Sequence, residues 1–508
     1  MASRRLMSLI LAFAVATGVQ AGPQDWPAYA HTMSRQSIAV DGPDTIDSNT
    51  LEWVADTDPQ DPSYYVKFEG ATGAVVYNGR VYGYAEYYDE SGEYTNSQII
   101  AYDANSGEML WATAIDQAEW DSWSTPCIDT KHNTVLIGSG NKVFALDAQS
   151  GMQRWATPLD QTVVNASVCV AADLPYARAF ITGYDDMFGG MGKFYCINLD
   201  ANEPNNPYQP GQVVWSQVIG NTSGNTAAYS NGVVYVASIG TDLRGYIHAY
   251  DATATNAVEL WGFTNSDYEG FWGGVVVTKE GFLYAATYDF CGEEDNSTLF
   301  KIDCADGNIV WTIETERTDA MPIVIGDKIY ICGGLAGYGR PKVEAYHDLG
   351  ATVAKLWETP SEMIVGGWTN QPVYANGKLY VGAIPLGGDY YGSYTELYIL
   401  DVSTGPNDAN FIISHYADSN CGNSPAVTYD SIYTIGSNGL FKFHQPALLG
   451  DISRNNTVDM DDLAEFAENW LYDWPVGVSR SDLDLDGDVD FMDFSLLANE
   501  WRKELSGQ

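Results

Sequence analysis

One phrase recurs along the chain and limits what it can fold into. It reads AYDANSGEMLW at Ala101–Trp111, ALDAQSGMQRW at Ala145–Trp155 and KIDCADGNIVW at Lys301–Trp311. Looser copies end at Trp215, Trp261 and Trp357, and ILDVSTGPNDANFII repeats the opening without a Trp. Asp with Ser, Thr or Asn ahead of Gly is turn chemistry: Gly accepts a positive φ, and the short polar side chains bond nearby backbone. Each copy therefore reads as strand, tight turn, strand, with the indole placed to wedge against a neighbouring unit.

A second phrase alternates with the first, as an apolar strand, a short turn and another apolar strand. Its copies start at Ala74, Pro126, Ser167, Ala227, Val275, Pro322, Pro372 and Pro425, which makes eight hairpins. Asn78-Gly79, Asn231-Gly232 and Asn376-Gly377 are strong two-residue hairpin signals. A hairpin plus the two strands around an Asp/Gly turn gives a four-stranded unit. Trp155 follows Trp111 by 44 residues and Trp111 follows Trp53 by 58. Four-stranded units at that period predict β-propeller blades. The last hairpin leads only to GLFKFHQ, whereas SNTLEWVAD (Ser48 to Asp56) stands alone near the other end with Trp53 at the anchor position. The expected fold is mainly β: an eight-bladed propeller over roughly residues 45–445, closed by that N-terminal strand so that no sheet edge stays open.

These repeats resemble the tryptophan-docking repeat of PQQ-type, or quinoprotein-type, propellers, and Asp25-Trp26-Pro27 followed by Arg35 is similar to that family's opening segment. For a dehydrogenase of that family the resemblance implies an adjacent Cys pair over the cofactor, a calcium held by Glu and Asn, and an Asp base. The chain has no Cys-Cys pair and no Cys-x-x-Cys-His haem signature. Asp319 and Asn370 stand in for base and ligand by alignment alone, so PQQ is not expected as a cofactor. Aligning the hairpins also puts Trp123, Asn165, Asn225, Trp272, Asp319, Asn370 and Asn423 just ahead of the inner strands, with Trp368 nearby. Such a ring of amides, aromatics and one carboxylate around the axis suits a sugar or planar ligand, or serves to satisfy loop backbone.

After Gln445 the sequence changes character. In DISRNNTVDMDD, oxygen side chains fall at Asp451, Ser453, Asn455, Asp459 and Asp462; in DLDLDGDVDFMD they fall at Asp482, Asp484, Asp486, Asp490 and Asp493. Positions one, three, five, nine and twelve of a twelve-residue loop are those that surround a calcium ion with hard oxygens. Gly487 and Asn456 tolerate the positive φ needed at position six, and Val458 and Val489 fill the apolar eighth. Apolar residues then recur at helical spacing, at Leu463, Phe466, Ala467 and Trp470 and again 31 residues on at Phe494, Leu497, Ala498 and Trp501. Two calcium loops, each opening a helix and the first without a helix before it, resemble a type I dockerin. The resemblance implies a cohesin-like partner chosen at loop positions ten and eleven, here Met460, Asp461, Phe491 and Met492. It also implies attachment to a complex of the polysaccharide-degrading kind.

The remaining arithmetic narrows the function classes. A net charge of −43, from 67 acidic against 24 basic residues, argues against nucleic acid. Fifteen acidic against four basic residues lie in 448–508, ten of the acids within the two loops. Arg4-Arg5, an apolar run from Leu6 to Val19 and Val19-Gln20-Ala21 read as a signal peptide over 1–21, too short for a bilayer span. The expected organisation is then a signal, a propeller over 22–447 and a dockerin-like tail over 448–508, in a secreted, periplasmic or cell-surface protein with no span in the mature chain. Seven cysteines, mostly inside apolar runs, read as scattered buried thiols. The six histidines stand singly, and no zinc, nucleophile-elbow or phosphate-loop motif occurs. The favoured expectation is a non-catalytic binding or scaffolding protein that presents a glycan or protein surface. The alternatives are a quinoprotein dehydrogenase and a cell-envelope assembly scaffold.

Overall fold

A computed structural model describes residues 24–505 apart from 58–64, 69–71, 118–123, 186–190, 221–224, 268, 289–295, 335–338, 385–393 and 437; the expected signal peptide lies outside the described residues. Eight antiparallel sheets form, each with at least four strands. The first blade runs from Val75–Tyr77 to Met109–Ile115, and the eighth is completed by Leu51–Ala55, antiparallel to Gly439–His444. The closing strand is thus the N-terminal one. At Asn78-Gly79, Asn231-Gly232 and Asn376-Gly377 both residues have positive φ, the geometry that matches a hairpin's twist.

The core lies between blades rather than within one. Val75, Tyr82 and Ile99 of blade one pack with Ile128, Ile137 and Phe144 of blade two, and equivalent layers repeat around the ring. The tryptophans lock these layers from outside. Trp111 donates its indole N–H to Ala148 O of the next blade, Trp215 to Ala254 O and Trp261 to Cys304 O. Trp53 does the same to Ala104 O across the closure. The rings of Trp53, Trp111, Trp155, Trp261 and Trp357 lie on a turn glycine of the following blade: a Cβ on Gly107 would come within 2.7 Å of Trp53, and one on Gly151 within 2.6 Å of Trp111.

The sequence reading missed the strap formed by residues 24–40, which runs past one blade after another. Trp26 exchanges backbone bonds with Val76, Pro27 O accepts from Ile128, Met33 O from Tyr229, Ser34 O from Val277 and Ser37 O from Tyr374. Ile38–Ala39 then pairs in parallel with the inner strand of blade seven. Arg35, fully buried, donates to the carbonyls of Tyr29, Val168 and Ala227, tying the strap to blades three and four.

Residues 446–505 form a small unit with two short helices, α1 (Met460–Glu468) and α2 (Phe491–Glu500). Trp470 and Trp501 fall beyond the helix ends, because Asn469 and Trp501 are the C-caps. The unit's core repeats at an offset of 31 residues: Ile452 with Leu483, Val458 with Val489, Phe466 with Leu497, all buried. It sits on the hairpin turns of the propeller. Leu485 and Val476 pack on the cluster between blades six and seven, and Val40 of the strap enters the tail's own core. Arg454 pairs with Asp41 at 2.7 Å, Arg480 donates to Asn376 at 2.9 Å, and Lys279 reaches Asp473 and the carbonyl of Gly487. Among the described residues no helix is long and apolar enough to cross a membrane.

Two measurements check this account. Gly151→Ala must fit a methyl against Trp111 at a φ of +70°, so thermal or denaturant unfolding should show a loss of about 2 kcal/mol or more. Met152→Ala, 72% exposed next door, should stay within about 0.5 kcal/mol of wild type. His132 joins Asp129 of blade two (2.6 Å) to Asp200 of blade three (2.8 Å), and the Asp129 bond holds its pKa above the ordinary value. The imidazolium's contribution is complete below the unfolded histidine pKa and is lost as pH rises through the raised folded one. The deficit of His132→Ala should therefore be larger at pH 5.5 than at pH 9.

Candidate functional site

Along two arcs of the axis, over blades one to four and six to eight, the residue that opens an inner strand bonds to its counterpart in the next blade. Gly73 N donates to Thr125 Oγ1 (2.9 Å), Thr125 N to Ser167 Oγ (3.0 Å) and Ser167 N to Thr226 Oγ1 (3.0 Å). On the far side Met321 N donates to Gln371 Oε1 (2.9 Å) and Gln371 N to Asn423 O (3.0 Å). This belt of hydroxyls and amides satisfies backbone donors that would otherwise face the channel. It breaks at Gly273-Gly274, where no side chain stands. A Cβ on Gly273 would overlap the carbonyl of Asp319, and one on Gly274 would lie 2.5 Å from Met321 Sδ. A small cavity opens there, lined among others by Tyr29, Asn165, Thr226, Gly274, Asp319 and Asn423.

The structure divides the expected axial ring. Asn165, Asp319 and Asn423 line the cavity. Asn225 is spent within the wall, its amide donating to Phe271 O and Gly273 O; Asn370 likewise donates to Asn423 O and accepts from Gly382 N. Trp272 and Trp368 are buried together with Tyr288, and Trp368 stacks on Tyr288 at 5.4 Å, so its ring serves packing. Trp123 lies outside the described residues. Tyr29 and the belt hydroxyls were not foreseen, although Thr125, Ser167 and Thr226 occupy one aligned position. Burial pushes the Asp319 carboxyl up to about 8.

The second site is the pair of tail loops. In loop two, Asp482 accepts from Gly487 N, Asp493 from Leu483, Asp484 and Asp490 N, and Asp490 caps α2 through Met492 N. One oxygen from each of Asp482, Asp484 and Asp486 falls within 4.8 Å of the others, and Asp482 Oδ1 is buried without a partner. Burial and the neighbouring carboxylates push Asp482 up to about 8 and Asp484 to about 7. Converging oxygens with uncompensated charge are a donor set fitted to a hard cation. Loop one repeats the frame: Asp451 accepts from Asn455 and Asn456 N, Asp462 from Ser453 and Asp459 N, and Asp459 caps α1. Ser453 Oγ is buried without a partner there. Asn456 and Gly487 both have positive φ at position six, as their chemistry required. Met460 (64%), Phe491 (73%) and Met492 (56%) are exposed, as is Asp461, and Phe491 meets Trp470 edge-on at 5.0 Å.

Blades locked by indoles on turn glycines, around an axis closed by a polar belt, define a propeller of the PQQ-like class. The chain belongs to the family described as outer membrane protein assembly factor BamB, whose model matches residues 65–253 and 206–338, together more than half of it. Among solved structures it is similar to a europium-containing methanol dehydrogenase (11% identity, TM-score 0.55, covering 82% of this chain and 90% of that one). It is also similar to the quinohemoprotein alcohol dehydrogenase from Comamonas testosteroni (12%, 0.53, 81% and 76%) and to BamB from Moraxella catarrhalis (17%, 0.48, 68% and 92%). At these identities the likeness is one of fold. No curated protein matches.

The raised Asp319 sets a pH test. Between its unfolded value and about 8 the native state holds a proton that the unfolded chain releases, so stability falls as pH rises across that window. Asp319→Asn should therefore gain on wild type from pH 5 to pH 8 and level off above, measured by urea unfolding.

Proposed function

We propose a secreted, non-catalytic binding or scaffolding protein. The propeller presents its axial face to a ligand or partner. The tail is a dockerin-like module that takes two calcium ions, at Asp451, Ser453, Asn455, Asp459 and Asp462 and at Asp482, Asp484, Asp486, Asp490 and Asp493. The observation that carries this reading is the convergence of Asp482, Asp484 and Asp486 beside a buried, unpartnered Asp482 oxygen. Exposed Met460, Phe491 and Met492, with Asp461, form the surface offered to a cohesin-like partner. Their apolar side chains sit at the starts of both helices, on loop positions related by the 31-residue repeat. An extracellular role in polysaccharide breakdown follows from that resemblance.

The rival reading is a quinoprotein dehydrogenase, favoured by the half-buried carboxyl of Asp319 at the axis. PQQ carries three carboxylates, and the described residues lining the axial cavity include no lysine or arginine, so that lining is poorly matched to it. An assembly scaffold is the third reading, supported by family membership alone. Tight, saturable PQQ binding in an absorbance titration would move the assignment to the dehydrogenase.

Calcium removal is the direct test. In EDTA, limited proteolysis of the full chain should cut within 446–505 while the propeller stays intact, since ligation and folding of so small a unit are linked. Asp482→Asn should need at least about tenfold more calcium to restore protection. Cleavage that is the same with and without calcium would sink the calcium reading.

A further inference from the structure

The axial cavity has an unusual charge count. Among the described residues it holds one carboxylate, Asp319, which is half-buried and takes a hydrogen bond from its own backbone N–H. Across the cavity Asn423, 1% exposed, commits its amide N–H to the Tyr29 hydroxyl at 3.3 Å. Its carbonyl oxygen Oδ1 is thereby left buried with no partner. The remaining polar lining is neutral: the hydroxyls of Tyr29, Ser167, Thr226 and Thr369 and the amide of Asn165. Arg35, the guanidinium nearest Tyr29 in the strap, spends its donors on three backbone carbonyls. The break in the belt at Gly273-Gly274 is what leaves this space open.

An orphaned amide oxygen and a lone carboxylate both call for a donor carrying positive charge. An anion would be repelled, and a neutral polyol would leave the carboxylate uncompensated. A divalent ion would leave an excess positive charge in a desolvated place, whereas one positive charge balances the site. We infer that the axial cavity binds a small monovalent cation, of the primary ammonium class, between Asp319 and Asn423 Oδ1. This rests on the reading of the axis as a binding site and is independent of the calcium tail. The ammonium group supplies three donors, which the Asp319 carboxylate, Asn423 Oδ1 and one hydroxyl oxygen accept.

Binding is coupled to pH because Asp319 must be ionised. Burial holds that carboxyl near 8. Burial first, and the charge of Asp319 after it, pushes the hydroxyls of Tyr29 and Tyr394 well above the ordinary tyrosine range, so they stay neutral. The other charged groups nearby are Arg35, which donates to Tyr29 O, and Arg317, over the Tyr288 ring at 5.6 Å.

The test is calorimetric titration of the full-length protein with ethylammonium, potassium and ethanol at pH 9 and pH 6.5. Saturable binding of ethylammonium at pH 9 is expected, weakening about tenfold per pH unit below 8, with none by ethanol. Asp319→Asn should weaken it at least tenfold, while Glu90→Gln, an exposed acid elsewhere, should leave it unchanged. Asn423→Asp places a second carboxylate at the orphaned oxygen and should restore binding in the Asp319→Asn background, which keeps the test meaningful if either single variant is unstable. A preference for ethylammonium over potassium identifies an amine ligand; equal binding identifies an inorganic monovalent ion in the same site. The inference is overturned if no cation binds at pH 9, or if Asp319→Asn binds as wild type does. A neutral sugar that binds with no pH dependence would also overturn it while leaving the axis a binding site.

Discussion

Everything in the propeller depends on the contact between one blade's indole and the next blade's turn glycine. The glycine is fixed twice over: its φ near +70° is left-handed, and its missing Cβ is the space into which the ring packs. The tryptophan is fixed by the same contact, since its N–H has a carbonyl of that turn as acceptor. The pair recurs at five junctions, while Trp215 and Trp311 keep only the indole's hydrogen bond to the next blade's turn. Where the pair is incomplete another contact takes over. The outer strand of blade seven, Ile412–Tyr416, has no Trp, and Tyr416 instead meets Phe443 of blade eight edge-on at 5.8 Å. At the ring's seam Trp53 restores the indole contact from the N-terminal side.

That reciprocity explains which parts were legible in the sequence. Hairpins, the closing strand and the 31-residue symmetry of the tail all rest on local turn chemistry or on spacing, and those survive in one dimension. The axial site was only half legible. Alignment fixes a residue's height along the axis, not whether its side chain turns into the channel or toward the neighbouring blade. Asn423 and Asn370 hold equivalent positions, yet the first faces the cavity and the second is consumed by Gly382 N and Asn423 O. Trp272 and Trp368 look like ligand platforms in sequence, but aromatic rings at a crowded axis first bury one another. The strap of residues 24–40 left no periodic trace, because it contributes backbone carbonyls to five separate blades and its anchoring side chains, such as Arg35, each occur once.

The tail illustrates how a repeat can be used twice. Position eight of each loop pairs with the segment after the other helix: Val489 exchanges backbone bonds with Leu471 and Tyr472, and Val458 with Arg502 and Lys503. The two halves thus close each other. Position four of each loop, Arg454 and Leu485, has positive φ and turns toward the propeller, one by an ion pair and one by apolar packing. With position four committed to the propeller, positions ten and eleven are left on the solvent side. Lys279 completes the junction by donating to Gly487 O, so a blade-five cation stands against the most acidic loop of the chain.

The two acidic sites begin from the same physics and diverge by number. Asp319 and Asp482 are both driven toward their protonated forms chiefly by desolvation. At Asp319 desolvation acts without a neighbouring carboxylate, so a proton or a single positive charge is enough to settle it. Asp482 is crowded by Asp493, Asp484 and Asp486, and one proton on the cluster leaves most of that repulsion in place. Only a multiply charged ion with room for several oxygens relieves it, and the left-handed turn at Gly487 folds the loop tightly enough to bring those oxygens together. A net charge of −43 therefore says little as a total. What matters is how many carboxylates share each desolvated site: one at the axis and several in the second loop of the tail.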